Sequence, residues 1–482
     1  MRRTLALLAV LAACDPGDDA RAAWLQTTLV LDNQVFLDTD PAQAEAKFAR
    51  MSLGLFAYFR GTLGQYARDI VEAGGAGYVA SAYATAETAD IALVGDPHPE
   101  NLGSFRTADG QLVADFNDFD AATYGPFHYD VRRLALGFHI AGLELGVAAP
   151  ERAAEAAAAA YVAEIAALQR GEPGTELIAG TPHGEILDHL FKKADEDGRA
   201  REELSDYTRL VDGQREMFFG EVEAPVAWRM ASVDAPMMLA TDEVVPVTQA
   251  EQLLVTQLLA AWPDSLHDPA VMHPDAAILK GVSRRYGAGV ASYAAPRFYA
   301  LLEGPSADPS DDLLLEIKQV YDPAPLTGVV RLPSQPFADN GARVASQQRA
   351  LQTTAACDPL LGHASAGAAT FRVRDRSKYQ RGVDLGKIAE KMAEGDWHDA
   401  DLEVLAGHAG HLLARAHAHA HRQSGPLGLP ALTAALAHDP DGFVAETLAF
   451  VLDYAPVVEA DYQRFQDTLA SAGPSLGYAW RQ

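Results

Sequence analysis

Asp96 and Asn101 lie five positions apart in the segment GDPHPEN, directly after the apolar run IALV at 91–94. Further on, the run QLVADF leads into NDFD, which places Asp118 beside Phe119 with Asp120 just beyond. Phosphoryl transfer needs a carboxylate next to the accepting hydroxyl, and an Asn with an acid to hold Mg²⁺ on the phosphates; in kinases the base and the Asn share one short loop. The spacing therefore points to Asp96 as the base, with His98 beside it, and to Asn101, Asp118 and Asp120 as the metal-holding group. The plain alternative is a turn cap and a solvated acidic patch, since runs of acid usually face water. Phe116, Phe119 and Phe127 argue against it, because a carboxylate among aromatic rings demands a cation or a donor. Asp115 is a second candidate for the metal, with Asp118 preferred. Asp96-x-His98 also matches the opening of metallophosphoesterases, in which metals activate water, but the later G-N-H-E-like motif is missing.

These loops need elements to hold them. Ile91 to Val94 and Leu112 to Phe116 read as paired strands, with GDPHPEN leaving the first. Pro41 to Ala73 reads as helical, with Phe56, Phe59 and Leu63 sharing a face. Helices follow at Glu151 to Leu168, Glu185 to Asp195, Glu202 to Phe219 and Gln249 to Trp262. Strands are expected within Tyr286 to Glu303, Asp312 to Val320 and Thr370 to Arg374, with helices at Gly341 to Ala356, Leu385 to Ala393 and Leu402 to His421. The fold class is α+β with helices dominant. The divisions are a signal peptide at 1–13, a tether at 14–40, a helical lobe at 41–280, a small β-rich segment at 281–375, and helices at 376–482 that complete the helical lobe.

GDPHPEN followed by DFNDFDAATYGPFHYDVRRLA resembles the bacterial family catalogued as domain of unknown function 2252, which is similar to aminoglycoside and choline kinases. FAYFRG, GAG with RFYALLEG, LLLEIKQV and LARAHA resemble that family's segments in the same order, so the likeness runs from about Phe48 to Gly425. It implies a protein-kinase-like fold using Mg²⁺ and ATP or another nucleotide. The second half should then supply a Gly-rich turn over the phosphates, Gly287 and Gly289, and a strand lysine, Lys318. Lys318 stands among Leu315, Ile317 and Val320, so it is either a buried lysine with an anionic partner or an edge-strand lysine in solvent. Because Asp96 and Asp118 precede Gly287 and Lys318, the order of the lobes is inverted and a circular permutation is inferred. Kinases pair the strand lysine with a helix glutamate, yet 340–356 holds no acid; Gln347, Gln348 or Asp118 could take that place. Arg60 would clamp an anion, Asp130 would brace the loop, and His417 reads as a packing group that could face the catalytic loop.

Lys and Arg number 38 against 66 Asp and Glu, a net charge of -28 that repels nucleic acid. Arg2 and Arg3, an apolar run from Thr4, and Leu11-Ala12-Ala13-Cys14 together resemble a lipoprotein signal, in which Cys14 would carry lipid and anchor the chain on the periplasmic side of a bacterial envelope membrane. The only other cysteine is Cys357, so cysteine-ligated metal sites are excluded. The expected activity is phosphotransfer to a small-molecule hydroxyl, with no protein partner. The second reading is a non-catalytic envelope lipoprotein that binds a phosphorylated or anionic ligand, because an exported chain meets little ATP.

Overall fold

A computed structural model describes residues 18–71, 74–107, 109–199, 207–221, 227–228, 237–238, 243–271, 278–322, 337–352, 358–377 and 379–479. Cys14, Cys357 and the signal segment lie outside these. With about 51% helix and 17% strand, the fold is α+β and helix-rich.

The chain opens with helices α1 (Asp18–Asp32), α2 (Gln34–Thr39), α3 (Pro41–Met51), α4 (Leu55–Gly61) and α5 (Leu63–Val71). Asp40 caps α3 through Gln43 N, and Pro41 occupies the first turn, where its missing N–H costs nothing. The segment expected as a tether is thus two packed helices. Leu25, Leu29, Phe36 and Leu37 are buried, and Arg21 of α1 donates to Asp69 at 2.8 Å and to Asp461 at 3.1 Å. Tyr454 donates to the same Asp69 at 2.7 Å. Burial works against the Arg21 charge, but hydrogen bonds and ion pairing to Asp69 and Asp461 outweigh it and raise its pKa.

Short strands β1 (Ile91–Leu93), β2 (Leu102–Arg106), β3 (Leu112–Phe116) and β4 (Thr123–Gly125) carry the loops of interest. The two apolar runs expected to pair do not: β1 pairs with β4, and β3 with β2. The connection 117–122 therefore runs between two small sheets. Then come α6 (Phe127–Leu145), α7 (Glu151–Gln169), β5 (Leu177–Ile178) and α8 (Glu185–Arg199). The helix expected over 202–219 is, within the described residues, a hairpin of β6 (Thr208–Val211) and β7 (Gln214–Met217). Asp212 and Gly213 form its two-residue turn with φ of 50° and 78°, the Asp-Gly signal for a tight hairpin.

The β-rich part holds β8 (Gly220–Glu221), β9 (Ala227–Trp228), β10 (Met237–Met238), β11 (Glu243–Pro246), α9 (Gln249–Ala261), β12 (Leu279–Arg285), β13 (Arg297–Leu302), β14 (Leu313–Val320), α10 (Asn340–Leu351), β15 (Gly362–Ala366) and β16 (Ala369–Asp375). Apart from the β9–β10 pair, its strands form a seven-stranded antiparallel sheet in the order β15-β16-β14-β13-β12-β11-β8. Side chains alternate along a strand. Phe298, Ile317, Phe371 and Val373 point to one face and pack with Val255, Leu258 and Trp262 of the α9 region. Arg297, Lys318 and Arg372 point to the other. The chain ends with β17 (Arg381–Gly382), α11 (Leu385–Glu394), α12 (Asp399–His419), α13 (Leu429–Leu436) and α14 (Pro440–Ala472). Helix α12 packs closely on α7: a Cβ at Gly410 would meet Ala157 O at 2.1 Å.

Replacing Arg21 with Leu leaves buried Asp69 with only the Tyr454 hydroxyl and Asp461 with Arg464, a loss of about 3 to 5 kcal/mol. Urea unfolding should show it; a loss under about 1 kcal/mol would mean that α1 is not anchored through this network.

Candidate functional site

The loop after β1 turns at Gly95, whose φ of 88° suits glycine, and a Cβ there would strike Ala121 O at 2.1 Å. Asp130, from the first turn of α6, accepts from Val94 N at 2.7 Å and Gly95 N at 3.1 Å. His417 of α12 reaches the same carboxylate through Nε2 at 3.2 Å, while its Nδ1 lies 2.9 Å from the Tyr161 hydroxyl. Asp130 and His417 thus brace the loop from behind, one in the expected supporting role and the other as a buried packing group.

Asp96 accepts from Arg133 Nε at 2.8 Å, and Arg133 in turn donates to Phe59 O and lies 3.5 Å from the Phe59 ring centroid. Burial pushes the Asp96 carboxyl up, against the opposing pull of Arg133 and Arg60. His98 is buried, with no hydrogen-bond partner on Nδ1 among the described residues. Burial, and then the charges of Arg60 and Arg133, hold its imidazole well below the usual range. It is a neutral ring at pH 7.

Asn101 joins this loop to the acidic one. Its Nδ2 donates to Asp96 O at 3.2 Å and Asp118 O at 2.9 Å; its Oδ1 accepts from Asp118 N at 2.7 Å and Asn117 N at 3.2 Å. A metal would compete with two N–H donors for that oxygen, so the geometry makes Asn101 a stitch between loops and not the metal ligand that its spacing suggested. Asp115 is also removed from the choice, because it is buried against Arg415 at 3.0 Å. Asp118 remains: its side chain is half exposed and faces the cleft.

The β-rich part closes over this acidic loop. Lys318 is buried on central strand β14, so it is not an edge lysine; it pairs with Asp120 and lies 3.9 Å from Asp118. The anionic partner of Lys318 is a loop acid, chiefly Asp120. Gln348 of α10 lines the cleft, with no hydrogen-bond partner on Oε1 among the described residues. Arg343 of α10 donates to the carbonyls of Ala122, Asp120 and Tyr321, Arg374 to that of Asn117, and Gln352 to that of Phe116. The partial desolvation of Asp118 works against its charge, but Lys318, Arg372 and Arg374 hold its carboxyl below the usual carboxylate range.

Between the two parts lies a cleft of about 1150 Å³. Arg60, His98, Asp118, Gly287, Gly289 and Lys318 line it, whereas Asp96, Asn101 and Asp120 stand behind the lining. Gly287 and Gly289 turn between β12 and β13 with φ of 82° and 83°. Arg60 pairs with Glu100, whose other oxygen accepts from Leu385 N at 2.9 Å. Basic side chains outnumber acidic ones along the cleft, the reverse of the chain as a whole. Sequence reasoning missed Arg297, Arg372 and Arg374 in the lining, and Arg133 and Arg343 behind it. The alternating run RVRDR at 372–376 was a usable signal, since period-two spacing puts its arginines on one sheet face.

Two buried histidines, His98 in the cleft lining and His128 elsewhere on α6, set a pH dependence. His98 is depressed, and His128 of α6 is pushed down to about 3, first by burial and then by Arg132. A folded pKa below the unfolded value of about 6.5 means that the unfolded state binds more protons, so this stability is present above pH 6.5 and drains away as pH falls toward 3. Urea unfolding at pH 7 and pH 5 should show His128→Phe losing about 2 kcal/mol less than the parent over that interval; equal losses would contradict a buried neutral His128.

No curated protein and no solved structure matches the chain. A family model does match, over residues 39–468, described as an uncharacterized protein conserved in bacteria (DUF2252). The chain therefore belongs to the DUF2252 family.

Proposed function

We propose that the chain is a kinase-like phosphotransferase, circularly permuted, that moves a phosphoryl group from a nucleotide to a hydroxyl of a small molecule. One observation carries the reading: Lys318, on the central strand of one part, lies 3.9 Å from Asp118, on the acidic loop of the other, across a cleft rich in cations. Lys318 and Arg372 would hold phosphate oxygens, and the Gly287 to Gly289 turn leaves the backbone free to approach them. Asp118 is the carboxylate free to share Mg²⁺, a metal that commonly takes one or two carboxylates and completes its shell with phosphate oxygen and water. Mg²⁺ would neutralise charge on the transferring group. Asp96, raised by burial and aligned by Arg133, suits a group that accepts a proton from the attacking hydroxyl.

The second reading keeps the cleft and drops turnover, in a chain that Cys14 would anchor outside the cytoplasmic membrane. Specific observations favour it: Asn101 Oδ1 is already occupied, Asp96 stands behind the lining, and Lys318 is already paired with Asp120. The metallophosphoesterase reading loses ground, since among the described residues no group of three or more His, Cys, Asp or Glu could hold a metal.

Under the first reading, calorimetric titration of ATP with Mg²⁺ into the chain should give binding that Asp118→Asn weakens at least about tenfold, while Asp96→Ala binds normally but loses about 100-fold or more in turnover. Turnover that survives in Asp96→Ala would sink the assignment; binding without turnover in the parent would favour the second reading.

A further inference from the structure

Arg297, Lys318 and Arg372 are direct cross-strand partners on β13, β14 and β16. Strands lie about 4.8 Å apart, and like charges set opposite one another on a sheet destabilise it. The next row along the same face is Tyr299, Glu316 and Arg374, with Glu316 opposite the other two. Glu316 accepts from Arg297 at 3.2 Å, Arg372 at 2.6 Å and Arg374 at 3.0 Å, so one carboxylate serves three guanidiniums. Asp120 answers Lys318 and stands 3.7 Å from Arg372. Four cations thus meet three carboxylates, the third being the half-exposed Asp118, 3.9 Å from Lys318. Arg372 is 1% exposed, yet its Nε and Nη1 have no hydrogen-bond partner among the described residues, a costly state for a buried guanidinium.

We infer that this face is an oligophosphate site that selects charge rather than base. Planar guanidinium forks beside an ammonium match phosphate oxygens in geometry and sign. A ligand bearing two or more phosphates would neutralise the row and satisfy Arg372. Among the described residues the apolar neighbours of the row are already taken: Tyr299 of the next row is buried and packed on Tyr207, Leu301 and Leu314, while Phe298, Ile317 and Val373 face the opposite side, into the core with α9, so the row offers no open apolar shelf for a purine. The inference deepens the phosphotransferase reading and rests on it for treating the bound anion as a donor.

The test is calorimetry on the full chain in metal-free buffer, with inorganic tripolyphosphate, ATP and adenosine titrated separately. Tripolyphosphate and ATP should bind within about fivefold of each other and at least about 100-fold more tightly than adenosine. Arg372→Gln should weaken tripolyphosphate at least about tenfold, whereas Asp120→Asn, which removes a competing anion, should tighten it. A folding defect would not produce that opposite pair. ATP bound about 100-fold more tightly than tripolyphosphate, or tripolyphosphate not bound by the folded chain, overturns the inference. Phosphoryl transfer from ATP, assayed separately, keeps the two claims apart: an ATP-selective site that transfers sinks only the inference, and tripolyphosphate binding without transfer sinks only the phosphotransferase reading.

Discussion

The structure turns on a row of like charges. Arg297, Lys318 and Arg372 stand abreast on neighbouring strands, and the burial of Lys318 and Arg372 beside the partly buried Arg297 makes the row too costly to leave uncompensated. Glu316 supplies compensation from within the sheet. Asp120 supplies more from the far side of the cleft, on a connection that belongs to the helical part. A charge problem in one part is therefore met by the fold of the other.

That dependence explains why the 117–122 connection is held so tightly. Its carbonyls are taken by Arg343 and Arg374, and the last carbonyl of β3 by Gln352. Asn101 fixes the backbone of Asp118 from the opposite side. Asp130 and His417 support the neighbouring loop, so the groups facing the cleft rest on a layer of satisfied buried ones. Among the described residues, Nε and Nη1 of Arg372 and Nδ1 of His98 have no hydrogen-bond partner, and these residues line the cleft together with the half-exposed Asp118.

The loops at Asp96 and Asp118 were legible from residue spacing, while the turn at Gly287, the strand lysine and Arg60 came from the family resemblance; Arg60, His98, Asp118, Gly287, Gly289 and Lys318 share one cleft. What failed was whatever depends on a partner far along the chain. Asn101 has the spacing of a metal ligand, but spacing cannot show that backbone amides at 117 and 118 take its oxygen. Strand 112–116 looked like a partner for 91–94, but its neighbour is the nearer strand 102–106. The residues before Asp40 read as a tether, yet Leu25, Leu29 and Phe36 fall on a buried side and Arg21 finds Asp461 at the other end of the sequence. The arginines of β16 passed unremarked because charge in a strand usually means solvent, and here it means a cleft.

The claim that the loop acid and the strand lysine compensate each other across the cleft is tested most directly by a double-mutant cycle on unfolding free energy, with Lys318→Met, Asp120→Asn and the pair together. The account predicts that the double variant loses less than the sum of the single losses by at least about 1 kcal/mol, because each single change takes the nearest partner from a buried or partly buried charge. Additivity within about 0.5 kcal/mol would contradict it and would mean that the two residues do not hold the parts together.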